Sequence, residues 1–341
     1  MRNIILLIVI SLLIYSSNCK KRGSKKKEAE KVQNVCDEED RTRPLVCFCK
    51  DFEDSFATEA TCWVYNDKIT GDDPVWDTFE TQNKLEKLKF NIRPDATLLS
   101  IPTNALKYLK RLQILEIHYA LISELTPYVF SNLSSLTDIN IPRSSIVNLH
   151  RHSISYMPNL VTLNLDENKI SEIKREVFFK VPNLKHLFIN QNNLSIIHDN
   201  AFEELQNLEE LELNMNQISI ITKETFTGLG KLKMLYLRSN RLTMLGDNTF
   251  QEMPNLYELD LDQNNIEYIS EKAFAGLRKL SKLRLGDNRL KSISDDVFRE
   301  TTNLYFLDLR SNGLESLTFD VLEPLWVNLK NITSNLNLER K

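Results

Sequence analysis

Four cysteines, Cys36, Cys47, Cys49 and Cys62, stand close together near the start of the chain, and none follows them. An even, clustered set in a secreted chain makes two disulfides. Four thiolates would also suit a tetrahedral zinc, but the spacing C-x10-C-x-C-x12-C lacks the paired C-x2-C knuckles. Three pairings are open, the one joining Cys47 to Cys49 being the least favoured. Elsewhere, His150-Arg151-His152 offers two metal ligands in a turn after Leu149 with no third nearby, so it reads as a solvated turn. Asp260 and Asp262 could meet Asp287 or Asp308 on a calcium ion, although acidic residues on an open sheet face also serve solubility. There is no Gly-x-Ser-x-Gly, no phosphate-binding glycine loop and no His-Glu-x-x-His, and the whole chain has only 8 glycines. The expectation is no enzyme and no cofactor.

Charge and termini set the compartment. The 43 basic and 47 acidic residues leave a net charge of −4, which gives no support to a nucleic-acid partner. Met1-Arg2-Asn3 precedes an apolar run from Ile4 to Tyr15, interrupted in polarity by Ser11, and then Ser16-Ser17-Asn18-Cys19. This is a secretory signal peptide over 1–19, cleaved near Cys19 and shorter than the roughly 20 apolar residues of a spanning helix. Residues 20–35 form a basic segment expected to be disordered. Its lysines, from Lys20 to Lys27, offer a heparan-sulfate site at 20–31, a solvated spacer or a dibasic processing site. Residues 36–84 form a cysteine-rich N-terminal cap.

From 85 to 341 the chain is periodic. Leu160-x-x-Leu163-x-Leu165-x-x-Asn168 recurs with a 24-residue step, at Leu184, Leu208, Leu232, Leu256, Leu280 and Leu304. The Asn column runs Asn168, Asn192, Asn216, Asn240, Asn264, Asn288 and Asn312. Earlier copies put Ser144 and Ala120 in that place, and the first, at Leu85, is about three residues longer. About ten repeats result. The paired leucines share one face of a strand, so stacking buries them in a parallel sheet. An Asn amide can satisfy the backbone groups of the turn that follows. Phe178, Phe202, Phe226, Phe250, Phe274 and Phe298, with Phe130, should form a convex-side spine. Ile154 and Leu322 take its place where Phe is missing. Leu336-x-Leu338 is expected to start an eleventh strand with no complete C-terminal cap.

This is the leucine-rich-repeat pattern, and residues 36–338 resemble the secreted and cell-surface proteins built on it. That resemblance implies a solenoid horseshoe of α/β type, with a concave parallel sheet and a convex side of short helices, 3-10 turns and loops. It also implies the pairing Cys36–Cys49 and Cys47–Cys62, although the spacing from Cys36 to Cys47 is longer than usual. Cys62-Trp63-Val64-Tyr65, Pro74-Val75-Trp76 and Thr318 to Leu338 resemble an insect branch of homophilic adhesion proteins held on the cell surface by a lipid anchor. A lipid-anchor signal ends in a hydrophobic tail, whereas Leu336 to Lys341 is polar, so no anchor is expected in the chain as written.

Function must then lie between the framework columns. Phe188, Met215, Met234 and Tyr236, with His186 beside them, are expected on adjacent strands of the concave face. Glu210, Glu212, Glu258 and Asp260 are expected around them. An apolar patch with a charged rim marks a protein interface. Asn132, Asn193 and Asn331 head Asn-x-Ser/Thr sequons. A glycan on Asn193, at the rim, would leave the opposite rim or the face for binding. The sequence therefore predicts an extracellular protein-binding module, secreted or held at the cell surface. Its leading role is adhesion, with another surface protein or a second copy as partner. A soluble ligand or matrix binder and a fragment of a receptor ectodomain are the other readings.

Overall fold

The computed structural model describes residues 34–37 and 44–334. The signal peptide, the basic segment at 20–31, and Leu336 and Leu338 lie outside the described residues. Within them the chain forms one 13-stranded sheet, the concave face of a leucine-rich-repeat horseshoe. Its strands are β1 Leu45–Lys50, β2 Glu59–Val64, β3 Lys87–Ile92, β4 Ile114–His118, β5 Asp138–Asn140, β6 Thr162–Asn164, β7 His186–Phe188, β8 Glu210–Glu212, β9 Met234–Tyr236, β10 Glu258–Asp260, β11 Lys282–Arg284, β12 Phe306–Asp308 and β13 Asn331–Thr333. β1 pairs antiparallel with β2, and every later pairing is parallel.

β13 is an eleventh-repeat strand at Asn331–Thr333, while the expectation at Leu336 and Leu338 lies outside the described residues. The strand is started by Leu329 and Ile332, ahead of Leu336. Asn331 lies opposite Phe306, a step of 25 where the preceding pair, Lys282 and Phe306, steps by 24. The extra residue hid the strand from a search at fixed spacing.

The convex side also departs from expectation. Short strands, more than helices, line it: Glu124–Leu125 with Asn148–Leu149, Glu172–Ile173 with Ile196–Ile197, Met244–Leu245 with Tyr268–Ile269, and a row of Phe130–Ser131, Ile154–Ser155 and Phe178–Phe179. Among the described residues the α-helical turns are α1 Thr103–Tyr108 and α2 Phe319–Leu322, which fall inside the long steps, from Lys87 to Ile114 and from Phe306 to Asn331. A 24-residue repeat leaves too few residues on the return leg to wind a helix. Its β-branched and aromatic residues favour extended pairing there.

The core is a stack of identical layers. Leu163, Leu187, Leu211, Leu235, Leu259 and Leu283 are fully buried, as are the Asn-flanking Leu165, Ile189 and Leu213. The Phe spine is buried behind them, with Phe226–Phe250, Phe250–Phe274 and Phe274–Phe298 ring centroids 6.1, 6.0 and 6.0 Å apart. Ile154, also buried, sits between Phe130 and Phe178 in this column. Trp76 and Phe79 close the N-terminal end, Trp76 meeting Phe90 edge-on at 5.5 Å. Disulfides Cys36–Cys49 and Cys47–Cys62 tie the cap, the second joining register partners on β1 and β2.

Each turn after a strand is held by the Asn ladder. Asn216 Nδ2 donates to the carbonyls of Ile189 and Leu213 at 2.8 and 3.1 Å, while its Oδ1 accepts the Leu194 N–H at 3.0 Å. Where Asn gives way to Ser144, the hydroxyl donates to Pro142 and accepts from the Ala120 N–H. The residue just before the ladder position is left-handed in nine successive repeats, from Tyr119 to Ser311, with φ between 52° and 64°. None of the nine is glycine, and such a conformation costs an ordinary residue about 1 kcal/mol. The ladder bonds hold each turn in it.

Candidate functional site

On each strand the residues flanking the buried leucine point to the concave side. They form two columns across the concave face. One runs His186, Glu210, Met234, Glu258, Lys282 and Phe306; the other runs Phe188, Glu212, Tyr236, Asp260, Arg284 and Asp308. A third column follows at the strand ends, including Asp166, Asn190, Asn214, Arg238, Asp262 and Arg310.

The structure divides the expected apolar patch. Phe188 is on β7 and Tyr236 on β9, with β8 and its Glu210 and Glu212 between them. Two islands result. In one, the His186 ring stacks on Phe188 with centroids 6.3 Å apart and meets the Glu210 carboxylate at 2.9 Å. In the other, the Tyr236 hydroxyl donates to Met234 Sδ at 3.4 Å. Met215 is not on a strand. It occupies a left-handed turn (φ 56°) at the rim and is 54% exposed. Nor are Glu258 and Asp260 an open rim, since both are 8% exposed. Glu258 is bound by Lys282 at 3.3 Å and by Arg284, and Asp260 accepts the Asp262 N–H at 2.9 Å.

Several neighbours escaped the sequence reading. Arg284 lies over the Phe306 ring at 5.6 Å. Asp166 accepts the Asn190 N–H at 2.6 Å, and the Asn190 amide donates to Glu212 at 2.6 Å. Setting the repeats in 24-residue register would have put these side by side, but not shown which were desolvated.

Electrostatics distinguish the centre of this face. Burial pushes the Glu212 carboxyl above its ordinary value, and the charges of Glu210 and Asp166 add to it against the Asn190 hydrogen bond. Burial likewise raises Asp166 and Asp260. Asp262 is pushed up to about 6 by burial and by the neighbouring Asp260, although the Gly286 N–H favours its charged form. The Tyr236 hydroxyl rises to about 12 through burial and the carboxylates of Glu258, Glu210 and Glu212. The face thus holds carboxylates in an environment that disfavours their charge, which a basic partner would relieve.

Asp262 gives this strain a sign. Its folded pKa lies above the ordinary 3.8, so the folded state binds the proton more tightly than the unfolded chain. Its contribution to stability is fully present below 3.8 and is lost as pH rises toward 6. Asp262→Asn keeps an acceptor for Gly286 without the charge. Urea denaturation at about pH 7 should show a gain of about 1–2 kcal/mol, fading toward about pH 4. A loss of stability at neutral pH would contradict this account.

The other candidate ligands are dispersed. His150 Nε2 meets Glu124 at 2.8 Å, whereas His152 meets Tyr128 and Glu176 at 2.8 and 3.0 Å and stacks on Phe179. His152 is therefore part of a packed convex-side cluster and not a solvated turn residue. Asp308 is engaged by Arg310 and Thr333. Among the described residues, no three His, Cys, Asp or Glu side chains gather as a metal site. Asn132, Asn193 and Asn331 are all exposed. The first two lie in convex-side and rim turns, while Asn331 sits on β13 beside Phe306 in the first concave column.

Comparison with known proteins agrees with the fold. The family profile described as leucine rich repeat matches residues 134–194, 158–218, 182–242 and 231–290. Connectin of Drosophila melanogaster is 38% identical over 108 residues, which is 31% of this chain and 16% of connectin. The chain therefore spans about a sixth of that curated relative. A TLR13–ssRNA13 complex matches 76% of this chain and 37% of the TLR13 chain, with a TM-score of 0.68 and 26% identity. The Toll–Spatzle complex of Drosophila matches 76% of this chain and 39% of its own, at TM-score 0.58 and 22% identity. A leucine-rich-repeat protein of Leptospira interrogans matches 76% and 69%, at TM-score 0.53 and 24% identity. These likenesses identify a leucine-rich-repeat fold.

Proposed function

We propose that this chain is an extracellular recognition module that binds a protein partner on its concave face, in cell adhesion. The observation that carries the reading is the centre of that face. The His186–Phe188 and Met234–Tyr236 islands flank Glu210 and Glu212, and among the described residues no cationic side chain lies within ion-pair distance of Glu212. A partner segment carrying a Lys or Arg between apolar side chains fits this arrangement. The cation would seat on Glu212, and the aromatic residues would supply the anchoring area. The two disulfides fit an oxidising compartment. Asn132, Asn193 and Asn331 would carry N-glycans there. Connectin's likeness supports adhesion at the cell surface, and the basic segment at 20–31 offers a secondary heparan-sulfate contact. Toll and TLR13 favour a receptor ectodomain as the second reading.

Phe188→Ala with Tyr236→Ala tests the face. Both side chains are only half-buried, so thermal stability should stay close to the parent. Partner binding should weaken about 10- to 100-fold, read as loss of aggregation between cells displaying the protein. Mixing displaying cells with labelled bare cells separates self-binding from binding to another protein. Undiminished aggregation by the double variant would sink the concave-face reading. Cells that stay dispersed with the parent protein would favour the receptor or soluble-ligand readings over adhesion.

A further inference from the structure

The flank that leads into the strands has its own construction. A second ladder runs along it. Asn159, Asn183, Asn207, Asn255 and Asn303 each donate to a carbonyl of the preceding repeat, at 2.6 to 2.8 Å. Lysine replaces Asn at 231 and 279, and each ammonium reaches back to the neutral amide of the Asn before it: Lys231 to Asn207 at 2.6 Å and Lys279 to Asn255 at 2.7 Å. Among the described residues neither lysine is within ion-pair distance of a carboxylate. Beside them Lys185 and Lys233 share one acid, Glu209, at 3.2 and 2.6 Å. A groove of about 560 Å³ is lined by Glu209, Lys231, Lys233, Asn255, Lys279 and the exposed Tyr257 ring. A second groove, of about 630 Å³, continues along the flank from Lys185 to Lys110 and Arg111.

We propose that this flank binds a linear sulfated polysaccharide. Lys231 and Lys279 are two repeats apart, about 10 Å at the spacing of stacked strands, which suits charges that recur along an extended chain. Their positive charge is held in place by amides but not neutralised by them. Tyr257 is 47% exposed, with the Lys282 ammonium 5.8 Å from its ring centroid, and leaves ring surface on which the C–H side of a pyranose stacks. A single-stranded nucleic acid would need aromatic platforms for successive bases, and one tyrosine in this groove does not provide them. The acidic concave face next to the flank repels a polyanion and so confines it to the groove. The reading does not depend on the concave-face proposal.

The test uses the full chain and a heparin-derived octasaccharide at about 150 mM salt. Lys231→Glu with Lys279→Glu should weaken binding about tenfold and reduce its salt dependence, because two screened charge contacts are lost. Lys231→Gln with Lys279→Gln, a milder pair, should give a smaller loss in the same direction. Phe188→Ala with Tyr236→Ala should leave octasaccharide binding intact. Unchanged affinity in both lysine pairs would overturn the proposal. So would a loss seen only when the basic residues from Lys20 to Lys27 are neutralised, equal binding of a desulfated octasaccharide, or binding of oligoglutamate or single-stranded RNA in place of the octasaccharide.

Discussion

Phe250→Ala should lower the unfolding free energy by about 3–5 kcal/mol, the cost of deleting a large buried aromatic without collapse of the site. Phe250 is fully buried, with its ring 6.1 Å from Phe226 and 6.0 Å from Phe274. Collapse is restricted because both neighbours are fixed by their own repeats. The position in the array matters as much as the amount. Each repeat of a solenoid touches only its neighbours, so stability is a sum of local and nearest-neighbour contributions. A gap in the spine weakens the coupling between the repeats on either side. Urea unfolding followed by circular dichroism should therefore move to lower denaturant and broaden or split. Trp76 lies in the disulfide-tied cap, far along the array from the substitution. In a Trp326→Phe background, which leaves emission to Trp63 and Trp76 of the cap, fluorescence should report the later part of the split transition. A single transition at the parental midpoint would refute the spine as a source of stability.

Asn216→Ala should cost about 3–4 kcal/mol, because it strands the buried carbonyl of Ile189 and the buried N–H of Leu194 and removes one of the two donors to the Leu213 carbonyl, which keeps the Asn240 amide. Each unsatisfied buried group costs about 1–3 kcal/mol, and partial relaxation or water recovers some of it. The change also releases the turn at Met215, whose left-handed φ of 56° the ladder holds. Asn216→Asp should not rescue, since a carboxylate presents no donor to the two carbonyls. Asn207→Ala is the control from the outer ladder. Its side chain makes only exposed bonds, donating to the Pro182 carbonyl and accepting from the Lys231 ammonium, each at 2.6 Å, so its loss should stay within about 1 kcal/mol. Thermal denaturation and amide exchange at Leu194 read both. Equal effects of Asn216→Ala and Asn207→Ala would show that the inner ladder holds no special place.

The columns these predictions test were visible in the primary structure. Leu, Asn and Phe recur at one spacing, and each answers to one physical demand: strand burial, turn satisfaction or spine packing. The outer ladder was equally visible, as Asn before the first leucine of most repeats, but an exposed Asn carries no signature of its partner. β13 was hidden by a single extra residue. The convex strands were hidden because two-residue segments of mixed type pair only when the next repeat offers an edge.

The candidate face was less legible. His186, Phe188, Met234 and Tyr236 could be placed on the concave side from alternation alone. That β8 puts two carboxylates between them, that Met215 sits in a turn, and that Glu258 is bound by Lys282 and Arg284 required the register of neighbouring strands and the reach of long side chains. The raised carboxyl groups of Glu212, Asp260 and Asp262 required burial, which a linear pattern does not measure.

The sequence by itself thus determined the solenoid, its framework columns, the cysteines that lock its cap and the set of residues open to evolve a binding role. It could do so because a repeat array is nearly one-dimensional, and spacing along the chain becomes position in the stack. The tertiary structure alone decided how charge is divided between an acidic, partly desolvated concave face and a basic flank. That division depends on which side chains turn toward each other across repeats and how much water is left around them, and neither is a property of spacing.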